Sequence, residues 1–155
     1  LFSGSTGNDT ITSFGAVTRL IGIDVGNILN TQSNQPPSSQ SQDTGKGTVD
    51  ILIGGSGSDV FYLGDVAQIN NSSMAPQLFY VGGGSSDYAV IKNFESGKDA
   101  INLTGNAPIG YTQQVVNGNL NISSGGDLIA VVEGVTSTLR TLQDTNLSNG
   151  ADLIG

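Results

Sequence analysis

Gly54-Gly55-Ser56-Gly57-Ser58-Asp59-Val60-Phe61-Tyr62 decides how the chain is read. Glycine stands at positions one, two and four of this nine-residue unit, aspartate at six and a large apolar residue at eight. Glycines let six residues turn tightly enough for backbone carbonyls to point at one ion, and Asp59 adds a carboxylate beside them. Residues seven to nine then run as a short strand whose middle side chain points inward. The unit repeats on either side. Gly45 to Ile53 keeps Gly first, Asp50 sixth and Leu52 eighth, and Gly4 to Thr12 keeps Gly4, Gly7, Asp9 and Ile11. Residues 82–87 keep Gly82, Gly83 and Asp87, with Ser85 in place of a glycine, and Gly150 to Ile154 offers a half-copy. Two successive units make one coil, so Leu52 and Phe61 are expected to face each other across a thin core.

Composition narrows the chemistry. The 155 residues suffice for a single domain, expected to span 1–155. Thirteen acids against five bases give a net charge of −8, which argues against a nucleic-acid surface. Eleven of those acids are Asp, leaving only Glu95 and Glu133. Helix surfaces favour Glu, whereas turns and calcium loops favour the shorter Asp. No Cys or His is present, so thiolate chemistry, zinc sites and the commonest general base are missing. Hard oxygen ligands remain, and they suit Ca²⁺ or Mg²⁺. No nucleophile elbow or phosphate loop occurs, and no carboxylate pair is singled out by spacing, so the chain is read as no enzyme. No apolar run approaches the ~20 residues of a membrane helix, so no membrane insertion is expected.

The expected fold class is all-β: a short, interrupted calcium-binding β-roll of parallel nonapeptide turns that continues into an antiparallel β meander. Residues 1–65 and 78–103 carry the roll-like repeats. Residues 30–44, Asn/Gln/Ser-rich with Pro36-Pro37, read as a polar loop insertion, and 66–77 as a second surface loop. Ile21, Ile23 and Val25 alternate as in a strand, and Gly22 and Gly26 weaken a helix there. Residues 104–155 read as the meander with a terminal half-repeat. Within it, Asn117-Gly118 signals a type I′ hairpin, Leu128 to Val132 a buried strand, and Ser137 caps an expected short helix over 138–143. Phe61, Tyr62, Phe79 and Tyr80 read as packing residues rather than a ligand platform.

With these repeats in view, the sequence resembles the RTX family of haemolysin-type calcium-binding repeat proteins. Asp87-Tyr-Ala-Val-Ile-Lys-Asn93-Phe94-Glu-Ser-Gly97-Lys-Asp99-Ala-Ile101-Asn-Leu103 is similar to the element that often follows such repeats, with Asn93 in place of its usual Asp. Gly126 to Val135 resembles C-terminal segments of cyanobacterial relatives. The resemblance implies a secreted protein that folds outside the cell, with Ca²⁺ held between stacked turns. The ligands expected are Asp59 with Gly54, Gly55 and Gly57, then Asp50, Asp87 with Gly82, Asp9 and Asp99. Asp65 and Asp152 are weaker candidates, and any of these acids could instead be a plain turn former.

A regular roll pairs turns 18 residues apart, but positions 36 and 72 carry Pro36-Pro37 and Ser72-Ser73. Turn 54–59 is therefore expected to pair across an insertion with turn 82–87 or turn 4–9. The implied function is a structural or adhesive component of a bacterial surface or extracellular matrix, self-assembling head to tail, with a surface glycan as a possible further partner. Unfinished repeats at both ends motivate the assembly. The alternatives are a C-terminal export and folding module of a larger secreted hydrolase or toxin, and a calcium-independent carbohydrate-binding β-domain.

Overall fold

The structure, a computed structural model, describes residues 1–23, 44–64, 78–104, 110–143 and 150–154. Both expected surface loops (except Thr44) and Asp65 lie outside the described residues, as does the side chain of Asp152. The fold is all-β, and no helix forms among the described residues. Seven strands come first: β1 (Phe2–Ser3), β2 (Thr10–Thr12), β3 (Val17–Ile21), β4 (Val49–Ile53), β5 (Ser58–Tyr62), β6 (Tyr88–Lys92) and β7 (Ala100–Thr104). Five more follow: β8 (Tyr111–Val116), β9 (Asn119–Ser124), β10 (Asp127–Val132), β11 (Arg140–Gln143) and β12 (Gly150–Ile154).

These strands build two six-stranded sheets, ordered β1-β3-β5-β7-β12-β11 and β2-β4-β6-β10-β9-β8. Up to β7 the chain alternates between the sheets at every strand, and neighbours within each sheet run parallel. It therefore winds as a two-sheet coil. The C-terminal strands then close both sheets antiparallel, apart from β10, which pairs parallel with β6.

Register shows where the repeat is interrupted. Phe2 lies beside Leu20, the 18-residue spacing of an unbroken coil. Later neighbours are much further apart in sequence: Val17 lies beside Ser58, Val49 beside Tyr88 and Val60 beside Ala100. The extra residues fall in sequence between β3 and β4 and between β5 and β6, both times where the chain passes from the first sheet to the second. We call this the first flank. The opposite, second flank keeps short turns, 13–16, 54–57 and 93–99.

Alternation explains the interior. In β4, Asp50 and Leu52 point in; in β5, Asp59 and Phe61; in β6, Ala89 and Ile91. Leu20, Leu52, Phe61, Ile91 and Ile101 meet in one core with no solvent exposure, and β9 and β10 extend it through Leu120, Ile122 and Val132. Tyr80 and Phe79 are buried in the same core. The aspartate at position six thus shares the inward face with the apolar residue at position eight. β4 and β5 begin one residue before Asp50 and Asp59, whereas Asp9, Asp87 and Asp99 each stand one residue ahead of their strand.

Two expectations need correction. Residues 140–143 form strand β11 rather than the end of a helix, because they pair with β12 along the edge of the first sheet. Six residues cannot nucleate a helix without tertiary support, and here the tertiary partner is a strand. Turn 54–59 stacks with neither 4–9 nor 82–87. It lies on the second flank between Ser13 to Thr18 and the 93–99 turn, because consecutive turns fall on opposite flanks.

Candidate functional site

The position-six aspartates form two ladders, one on each flank. On the second flank, Asp59 Oδ2 accepts the N–H of Gly55 at 2.7 Å, four residues back in its own turn. Asp99 repeats the contact with the N–H of Glu95 at 2.8 Å. The backbone N–H of Asp59 then donates to Asp99 Oδ1 at 2.9 Å, joining one coil to the next. On the other side, where turn 13–16 has no aspartate, the hydroxyls of Ser13 (2.8 Å) and Thr18 donate to Asp59 Oδ1.

The first flank repeats this pattern at Asp9 and departs from it further along. Asp9 Oδ2 accepts the N–H of Ser5 at 2.7 Å, and the N–H of Asp9 donates to Asp50 Oδ1 at 2.9 Å. Asp50 Oδ2 takes the buried Tyr80 hydroxyl at 2.7 Å. Asp87 Oδ2 accepts the N–H of Gly47 at 3.1 Å. Asp127, at the start of β10, accepts the N–H groups of Gly84 (3.0 Å) and Gly82 (2.8 Å). At Asp59 and Asp99 one carboxylate oxygen takes the N–H four residues back and the other a donor from the adjacent coil, a reach that suits the short side chain of Asp.

The glycines of turn 54–59 serve contact rather than unusual dihedrals. Gly54, Gly55 and Gly57 all avoid positive φ. A Cβ on Gly54 would sit 3.0 Å from the Asn93 carbonyl, one on Gly55 3.1 Å from the Ser13 carbonyl, and one on Gly57 would strike the Ala16 carbonyl. The coils approach too closely for a side chain. Gly82 differs, with φ at 90°. Gly83 lies flat against the Asp87 carboxylate, where a Cβ would overlap both oxygens.

Asp50, Asp59, Asp87 and Asp99 are all buried. Burying a carboxylate is costly unless donors or a cation compensate it. Among the described residues both ion pairs use glutamate, Lys92 with Glu133 and Lys98 with Glu95, and no Lys or Arg pairs with Asp59, Asp87 or Asp99. Burial pushes the Asp99 carboxyl above the ordinary carboxylate range. The nearby charges of Asp59 and Glu95 add to the shift, and the two backbone N–H bonds oppose it. Asp87 Oδ1 is enclosed with no hydrogen-bond partner.

The fit to a divalent cation is therefore uneven. No group of three or more acidic side chains gathers among the described residues, since each coil contributes one carboxylate per flank. At Asp9, Asp50 and Asp59 the oxygens face N–H and O–H donors, which a cation cannot use. Turn 82–87 is the better match: Asp87 Oδ1 has no donor, and Asp127 contacts the same turn. Asp127 was not among the residues expected from sequence, although Gly125-Gly126-Asp127 before an apolar run repeats the glycine–aspartate–strand order.

No family model, no curated protein and no solved structure matches the chain.

Proposed function

We propose that the chain is a calcium-binding structural or adhesive module of an exported bacterial protein, a coil that calcium stiffens rather than a catalyst. The observation that carries this reading is Asp87 Oδ1, a buried carboxylate oxygen with no hydrogen-bond donor in a glycine turn. Such an oxygen keeps its charge at lowest cost beside a cation. The resemblance of the repeats to RTX turns agrees with it. Asp87, with Asp127 against the same turn, is the first place for an ion. Bound calcium would supply positive charge to acids that the fold otherwise holds with backbone N–H groups and hydroxyls. The chain's own contribution is a stack of preformed turns with one carboxylate in each.

Head-to-tail association belongs to the same reading. Among the described residues β1 and β2 each end a sheet with no neighbour on one side, and Leu1, Phe2, Phe14 and Val17 are exposed around that end. Another copy could cover it. A second reading, a C-terminal folding module of a larger secreted hydrolase or toxin, draws on the polarity of the coil: parallel strands at one end, antiparallel strands closing the other.

Calcium titration followed by calorimetry and circular dichroism tests the ion. At dissociation constants on the order of 10⁻⁴ to 10⁻³ M, 10 mM calcium should stabilise the fold by about 1.4–2.7 kcal/mol per site. Asp87→Asn should lose the tightest site. Identical melting in calcium and in EDTA would remove the calcium reading, and an unaltered isotherm for Asp87→Asn would remove its placement at turn 82–87.

A further inference from the structure

A groove of about 490 Å³ lies beside the last turn of the second flank, and the calcium reading does not use it. Phe94 and Ser96 form one wall; Thr136, Ser137, Thr138 and Arg140 form much of the other. Its volume is that of an ordinary small-ligand site.

Both walls are held before any ligand arrives. The side-chain amide of Gln113 clamps the backbone of Leu139, accepting its N–H at 2.8 Å and donating to its carbonyl at 3.0 Å. Asn119 Oδ1 accepts the N–H of Gly134 at 3.0 Å, so the loop is fastened at both ends. Phe94 is backed by Phe61, with ring centroids 6.2 Å apart. A preorganised groove loses little entropy when it binds.

The charges around it are sorted. The chain's two glutamates both stand near this groove, and each is paired, Glu95 with Lys98 and Glu133 with Lys92. Asp99, in the same turn, is buried and hydrogen-bonded to backbone amides. Arg140 is exposed and has no acidic partner among the described residues. An aromatic ring, four exposed hydroxyls and one free guanidinium suit a sugar ring bearing a carboxylate. The ring's apolar face can rest on Phe94, its hydroxyls can bond to Ser and Thr, and a planar guanidinium can take the carboxylate through two hydrogen bonds.

The net charge of −8 disfavours a long polyanion. A single arginine nevertheless acts freely within roughly 8 Å at physiological salt. We propose that this groove binds a uronate residue carried on an otherwise neutral glycan, with Arg140 selecting its carboxylate. This assignment stands independently of calcium.

Chemical-shift titration of the full chain in millimolar calcium provides the test, using an aldouronic xylo-oligosaccharide and the unsubstituted xylo-oligosaccharide of the same length. The acidic sugar should bind saturably and about tenfold more tightly than the neutral one, the difference expected of one charge-assisted bidentate pair. Arg140→Gln should erase that preference while leaving circular dichroism unchanged, and Arg140→Lys should restore part of it. Equal binding of the two sugars, absence of saturation by the acidic one, or a preference that survives Arg140→Gln would overturn the assignment. Tighter binding of an acidic tripeptide than of the uronate sugar would overturn it as well.

Discussion

Asp99 illustrates what the coil asks of its acids. Burial, first, and then the charges of Asp59 and Glu95 raise its pKa, so the folded chain holds this proton more tightly than the unfolded one. The Asp99 contribution to stability is therefore present in full below the unfolded pKa. It is lost as pH rises through the raised folded value. In calcium-free buffer, melting temperature against pH should carry a downward component across that window that is missing from Asp99→Asn; parallel curves for the two proteins would refute it. Gly57 makes the complementary point about space. Gly57→Ala would push a methyl group into the Ala16 carbonyl, with the Gly15 carbonyl oxygen 2.6 Å from the new Cβ. Overpacking of this kind costs about 1–3 kcal/mol, read as a lower urea midpoint at unchanged slope. Gly57→Ala as stable as the parent would mean that the coils can separate at this turn.

At the scale of elements, the hairpin between β8 and β9 was legible because its information is local. Asn117 and Gly118 adopt φ of 51° and 80°, as the type I′ signal requires. Gly118→Ala should cost about 1–2 kcal/mol by forcing a side chain into the left-handed region, with the loss visible in the denaturation midpoint. An unchanged midpoint would show that the turn rearranges at no cost. β11 is the opposite case. Its strand state depends on β12, which pairs with it from eight to fourteen positions along the chain, and a local helix signal at Ser137 carried no information about that partner. The Gln113 clamp on Leu139 is likewise contributed by another strand, and Gln113→Ala removes two hydrogen bonds worth about 0.5–1.5 kcal/mol each. Because that clamp fixes one wall of the groove, the same variant should weaken binding of the acidic sugar.

For the whole molecule, period and topology have different origins. The nine-residue spacing of glycine, aspartate and apolar residues determined by itself that the chain would be all-β, that Leu52 and Phe61 would be buried, and that Asp9, Asp50, Asp59 and Asp87 would occupy equivalent positions in the repeat. Those properties follow from a strand's period of two and from the short reach of aspartate, both of which act within a few residues. Which turns stack was beyond the sequence. Consecutive turns fall on opposite flanks, and chain inserted on one flank leaves the other in step, so Asp59 meets Asp99 rather than Asp87. Nor could spacing show that the aspartates face inward beside the core, that Asp127 joins turn 82–87, or that Asp87 keeps one oxygen without a donor. Such facts depend on which backbone amide from a distant coil arrives at each carboxylate, and only the closed packing of the two sheets decides that.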